Sequence, residues 1–208
     1  MNNRYKISLL SIALLLGVSL TILLVKQSEP PLLEFDAKQG IPVFSPPVPV
    51  PALTLVDQDN KPFPTAKLQD SWSLMFFGFT NCPDICPTTL TTMNQAAKRL
   101  SDKQIRYLFV SLDPQRDTPE KLKEYVTYFN SDFIGLSGNK ADIDQLSEKL
   151  GVIYDYEGDV DSGKYTVNHY AAILVIDPQG RVRAHILPPH PVDKIVDGVN
   201  KIINYYQR

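Results

Sequence analysis

Residues 76–90 read FFGFTNCPDICPTTL and hold Cys82 and Cys86, the only cysteines in a chain of 208 residues. Aromatic and apolar residues from Ser73 to Phe79 precede the pair, which predicts a central strand buried on both faces. Beyond it, Leu90, Met93, Ala97 and Leu100 recur at spacings of three and four, one face of a helix, with Pro87 suited to its first turn. The cysteines thus stand where a strand ends and a helix begins. Ile105–Leu112 (IRYLFVSL) is a second apolar run, so strand, helix and strand form a βαβ unit with a parallel pair.

Working outward, Leu53–Asp57 and Lys61–Phe63 flank a turn at Asp59–Asn60 and read as a β-hairpin. Downstream, Thr118–Pro119 caps a helix whose apolar face is Leu122, Tyr125, Val126 and Phe129. Phe133–Leu136 is a short strand candidate, and Lys140–Leu150 is a helix stopped by Gly151. The polar stretch 152–167 suits a hairpin or a long loop. Ala171–Ile176, the turn Asp177–Gly180 and Arg181–Leu187 make an antiparallel pair, with Arg181, Arg183 and His185 on the face opposite Val182, Ala184 and Ile186. A helix from about Val192 closes the chain. This order predicts an α/β class, a thioredoxin-like fold with an N-terminal β-hairpin and an insertion between its halves. In such sheets, sites form beyond the carboxyl ends of the strands, where Cys82 falls.

Ahead of this domain, Ile7–Val25 is an uncharged, Leu/Ile-rich run of nineteen residues. At about 1.5 Å per residue it crosses a hydrocarbon core of roughly 30 Å. It exceeds the roughly 7–15 residues of a signal-peptide core and no A-x-A-like site follows, so a single transmembrane helix is favoured over a cleaved signal. Arg4 and Lys6 predict that the N-terminus stays inside. Seven prolines between Gln27 and Pro51 suggest an extended spacer, whose last part either stays free or lies across the domain surface. The expected organisation is an anchor at 1–26, a proline-rich linker at 27–51 and a thioredoxin-like domain at 52–208. From residue 27 onward, 18 basic residues face 23 acidic ones without a basic stripe, which argues against nucleic acid as a partner.

Two cysteines make one staple, a redox couple or a metal clamp. Outside the cytoplasm the pair can be oxidised. Just before a helix, thiolates are favoured by the positive end of the dipole and its unpaired N–H groups. Two soft thiolates suit Cu(I), and one added imidazole makes an S₂N set able to take either copper oxidation state. Of three histidines, His169 directly precedes the strand from Tyr170 and is the favoured third ligand. His185 reads as a solvated strand residue and His190, in LPPHP, as a loop residue, while Met93 falls on the helix core face.

The segments GFTNCPDICPTTL (78–90), SLDPQRDTPEKL (111–122) and NHYAAILVIDPQGRV (168–182), behind a membrane anchor, resemble the Sco/SenC family of copper-binding, thioredoxin-like cytochrome c oxidase assembly proteins. The resemblance implies that Cys82, Cys86 and His169 are copper ligands, for Cu(I) or Cu(II). It also implies a metallochaperone that delivers copper to the dinuclear copper site of cytochrome c oxidase subunit II, or keeps that site's thiols reduced. A copper donor and a thiol reductant would be further partners. The implied location is the bacterial inner membrane with the domain in the periplasm, or else the mitochondrial inner membrane facing the intermembrane space. Asn81 and Asn168 depart from the family pattern, which often has His and Asp there, and Asn168 bears on how His169 is held. Asp84 matches the pattern and reads either as a docking residue or as a turn residue bonding its own backbone.

Asp113, Arg116 and Asp117 lie at a strand's carboxyl end and read first as turn and cap residues. The competing function is a thiol-disulfide oxidoreductase using Cys82 and Cys86 without copper. Its usual C-x-x-C is absent and no proline replaces His169. A peroxidase is weaker again, since Phe79 and Pro83 stand where a Thr or Ser three residues before the reactive cysteine is wanted. A purely structural disulfide leaves His169 without a purpose.

Overall fold

The computed structural model describes residues 40–206. The run 7–25 expected to span a membrane lies outside the described residues, as do residues 27–39 of the expected spacer. Among the described residues no helix is long and apolar enough to cross a membrane. The chain order is β1 (Val43–Pro49), β2 (Thr54–Asp57), β3 (Pro62–Pro64), β4 (Trp72–Gly78), α1 (Ile85–Arg99), β5 (Ile105–Ser111) and α2 (Pro119–Phe129). It continues with β6 (Ile134–Ser137), α3 (Lys140–Lys149), β7 (Tyr154–Asp159), β8 (Lys164–His169), β9 (Ile173–Ile176), β10 (Arg181–Ile186) and α4 (Val192–Tyr206).

Eight strands form one sheet in the order β1-β10-β9-β4-β5-β6-β2-β3. β4, β5 and β6 run parallel, and the others pair antiparallel. Every residue of β4 and of β9 is buried, the consequence of helices and connections covering both faces of the sheet centre. The expected α/β arrangement is thus present, with β4-α1-β5 and β9-β10-α4 as its two halves. The hairpin β2–β3 joins the sheet beyond β6, and α2, α3 and the ribbon β7–β8 lie between the halves in sequence.

Local chemistry accounts for the helix ends. The Thr118 hydroxyl accepts from the Lys121 N–H at 3.3 Å with Pro119 at the first position of α2. Asn139 accepts from the Asp142 N–H at the start of α3. α1 begins at Ile85, two residues before the expected Pro87, so Cys86 lies inside its first turn.

One reading left open is decided and one is corrected. Residues 43–49 of the expected spacer are β1, paired to β10 at the sheet edge, so the last part of that stretch lies across the domain. His185 is not solvated. It is 4% exposed, with its ring between Phe44 of β1 (4.8 Å between centroids) and Tyr170 (5.7 Å). The face that alternation left to solvent is covered by segments distant in sequence. Burial then lowers the His185 pKa to about 4. His190 is in a loop as expected but is also buried, held by the Thr89 hydroxyl (3.3 Å) and the Ile186 carbonyl (3.0 Å).

Candidate metal and thiol site

The site is assembled at the carboxyl end of β4. β4 ends at Gly78, the chain turns through Thr80 and Cys82, and α1 starts before Cys86. Gly78 makes this packing possible. A Cβ there would stand 2.8 Å from the Cys86 sulfur and 2.8 Å from Phe109, so the Cys86 side chain occupies the space that any other residue would need. Cys86 is fully buried and Cys82 half-buried, both as free thiols.

His169 is the last residue of β8, not the entry to β9, and reaches the cysteines from the ribbon β7–β8. Its Nε2 lies 3.5 Å from the Cys86 Sγ, although 83 residues separate the two in sequence. The edges of Phe76 and Phe79 hold the imidazole, with centroids at 5.9 and 6.3 Å. Its Nδ1 is buried without a partner. The three residues predicted from the sequence therefore converge, but they are not a closed cage. Among the described residues no group of three or more His, Cys, Asp or Glu side chains stands ready to hold a metal ion.

The donor set fits a soft ion: two sulfurs and an imidazole nitrogen in a largely dry recess. Its electrostatics favour one thiolate. A hydrogen bond from the Cys86 thiol lowers the Cys82 pKa from an ordinary 9.0 to about 4, against the opposing effect of burial. His169 and the backbone N–H groups of Asp84 and Cys86 add to this, the latter two being the open donors of a helix N-terminus. Cys86 is pushed the other way by its bond to Cys82, by burial and by the Cys82 charge. The two sulfurs share one proton across the neutral range and titrate as a unit, with the charge on the more exposed Cys82.

A pH profile tests this. At pH 6 an ordinary thiol is about one part in a thousand ionised, whereas a Cys82 thiolate persists above about pH 4. The lower basicity also lowers intrinsic nucleophilicity, with a Brønsted slope of about 0.4–0.5, so the absolute rate gain is modest. Iodoacetamide labelling of the reduced, metal-free protein should therefore modify Cys82 at a rate nearly flat from pH 8 to 5, declining as pH falls through about 4. A tenfold drop per pH unit below pH 8 would contradict the shared-proton pair.

The remaining sequence candidates fall around this centre. Met93 is buried and packs in the core, as expected. Asp84 is exposed, and its side chain makes no cap to α1. Asn81 accepts from the Lys121 ammonium at 2.8 Å. Asn168 donates across the ribbon to Glu157 at 2.9 Å and leaves the His169 Nδ1 unpartnered.

Asp113 and Asp117 prove more than turn residues. Both are fully buried. Asp117 accepts from the Thr80 N–H (3.0 Å), the Thr80 hydroxyl (2.5 Å) and the Ser111 hydroxyl (2.7 Å), which pins the loop two residues before Cys82. Charged residues directly after the buried end of a strand were the signal available in SLDPQRD.

The SCO1/SenC family model matches residues 48–204. The chain belongs to the SCO1/SenC family. Among curated relatives, a Stutzerimonas stutzeri protein provisionally named as copper-binding is 40% identical over 147 residues, covering 69% of this chain and 72% of that protein. An SCO2-like protein of Rickettsia conorii is 41% identical over 134 residues, covering 63% of this chain and 65% of its own length. Among solved structures, Arabidopsis thaliana ScoI with copper bound superposes with a TM-score of 0.71 at 31% identity, covering 75% of this chain and 98% of that one. A structure of BsSco, described as a member of the Sco family of cytochrome c oxidase assembly proteins with a disulfide switch, matches with a TM-score of 0.60 at 25% identity, covering 74% and 93%. The SCO1/SenC match spans both cysteines and His169, and the fold is that of the Sco structures.

Proposed function

We propose that this protein is a copper-binding assembly factor in which Cys82, Cys86 and His169 hold copper for transfer to the dinuclear copper site of cytochrome c oxidase subunit II. The observation that carries this reading is the 3.5 Å approach of the His169 Nε2 to the buried Cys86 sulfur, beside a Cys82 biased to thiolate. Family membership, and relatives that are copper-bound or named for oxidase assembly, support it. Two thiolates and a neutral imidazole bind Cu(I) as a soft ion, and the half-buried Cys82 is the ligand a partner thiolate reaches first. Transfer then proceeds by exchange of one thiolate for another, without a change in copper oxidation state. In this reading residues 7–25 anchor the chain in a bacterial inner membrane and the domain faces the periplasm. The spacer is shorter than the sequence suggested, because residues 43–49 are β1.

A second reading has its own observation, the lowered Cys82 pKa. A Cys82 thiolate attacks a partner disulfide, forming a mixed disulfide and releasing one partner thiolate. Cys86, losing its proton, attacks the Cys82 sulfur and releases the second. The protein leaves as a Cys82–Cys86 disulfide, and a thiol reductant must return two electrons before it can act again. The two roles share residues, since that disulfide removes both sulfur ligands.

Copper loading separates them. The reduced protein should bind one copper with a Cu(II)-thiolate absorption, and His169→Ala should weaken Cu(II) by at least the roughly 10–100-fold that loss of a mere supporting group costs. Unchanged affinity and absorption in His169→Ala would remove His169 from the ligand set. Catalytic turnover of disulfides by metal-free protein would favour the oxidoreductase.

A further inference from the structure

We infer that Arg116 and Asp113 are positioning residues that clamp the ribbon β7–β8 onto the carboxyl end of β5 and thereby set where His169 stands relative to the cysteines. The inference rests on the reading of His169 as a ligand and names what holds it there. Outside the cysteines nothing among the described residues hydrogen-bonds the His169 ring: its Nδ1 has no partner, and the Asn168 side chain beside it bonds to Glu157. Its place is set instead by the ribbon that ends with it.

The ribbon is tied down four residues upstream. The Arg116 guanidinium stacks on the Tyr165 ring at 3.5 Å from the centroid, and its Nη1 donates to the Tyr165 carbonyl at 2.8 Å and the Gly163 carbonyl at 3.4 Å. Its Nε pairs with Asp113 at 2.5 Å, and the Tyr165 hydroxyl donates to the other Asp113 oxygen at 2.6 Å. A planar fork that pairs, stacks and bonds at once is a role lysine cannot reproduce. The Tyr156 hydroxyl, on the facing strand, donates to the Leu112 carbonyl at 2.8 Å.

The same cluster reaches the cysteine loop. The Asp113 N–H donates to the Ser111 hydroxyl at 3.0 Å, and Ser111 donates to Asp117, which holds Thr80. One buried chain of polar groups thus runs from the segment carrying Cys82 to the strand carrying His169, and both halves of the site are referenced to the end of β5. Apart from the Arg116 Nη2, which has no partner among the described residues, the members of this network are bonded to one another, and such networks favour one arrangement.

The test compares Arg116→Ala, Arg116→Lys and Tyr165→Phe with the parent in the full chain. In metal-free protein, amide hydrogen exchange of Thr166–His169 should rise at least about tenfold in Arg116→Ala and remain raised in Arg116→Lys, with β4 and β5 protected as before. Tyr165→Phe, which keeps the stack and loses only the hydroxyl, should give a smaller rise. On loading with Cu(II), Arg116→Ala should retain the thiolate absorption but lose the imidazole-nitrogen hyperfine coupling, as His169→Ala does, with affinity lower by about 10–100-fold. Unchanged exchange in the ribbon, or full rescue of exchange by lysine, overturns the clamp. Raised exchange in a protein whose parent shows no His169-dependent copper signal upholds the clamp and refutes the ligand reading alone.

Discussion

Replacing Cys86 with serine is expected to abolish copper binding. The substitution removes one of two soft sulfur donors and puts in its place a hard hydroxyl with no affinity for Cu(I). The serine hydroxyl can still donate to Cys82, so the hydrogen bond that is the largest contribution holding the Cys82 pKa near 4 is kept, and what is lost is the sulfur ligand. Competition with a dithiol chelator should strip Cu(I) from Cys86→Ser completely, whereas labelling of Cys82 at pH 5–6 should regain a steep dependence on pH in Cys86→Ala, which has no donor at this position. His169→Ala leaves both sulfurs in place and should keep Cu(I) while losing much of its hold on Cu(II). The ranking matters more than either value: a Cys86→Ser protein that competes for Cu(I) as well as His169→Ala would show that the buried sulfur is not a ligand. The exchange of sulfur for oxygen is nearly isosteric, so the space left by Gly78 remains filled and the effect is not one of unfolding.

Asp117→Ala should lower stability by about 3–5 kcal/mol, the usual result of breaking a buried charged group out of its partners. The Thr80 N–H, the Thr80 hydroxyl and the Ser111 hydroxyl would be left in a dry region with nothing to donate to, each at a cost of about 1–3 kcal/mol before relaxation. The exposed Lys121, 3.8 Å away, contributes little by comparison because water screens it. Asp117→Asn keeps acceptor capacity and should lose less. Urea unfolding of the metal-free protein gives both numbers, and a loss under about 1 kcal/mol for alanine would mean that water enters to satisfy the three donors.

The central strands, the helix of the βαβ unit and the convergence of Cys82, Cys86 and His169 were readable, because each rests on a local signal or on the rarity of its residue type. Ser73–Phe79 has no polar face to solvate, and so it had to be central. What escaped the sequence depends on distant segments. β1 was hidden because prolines at 46, 47 and 49 look like a spacer, and only its partner Arg181–Ile186 shows that they tolerate an outermost strand. His185 alternates with apolar residues and so reads as solvent-facing until Phe44 and Tyr170 arrive to cover it. The role of Asp113, Arg116 and Asp117 was masked by a turn signal that is also correct. These side chains shape the turn and carry the network at once.

The two outermost strands of the large sheet share a property that bears on the molecule among its own copies. At one edge β1 carries Pro46, Pro47 and Pro49, and at the other β3 carries Pro62 and Pro64. A proline has no N–H, so neither margin presents the regular row of donors that a further strand would need in order to add on. An eight-stranded sheet rich in Val, Ile and Phe is the kind of surface that seeds stacking between molecules when its margins are bare. Here the proline-rich passage leading into the domain also finishes one border of the sheet, which leaves a second copy no regular row of donors to pair with there.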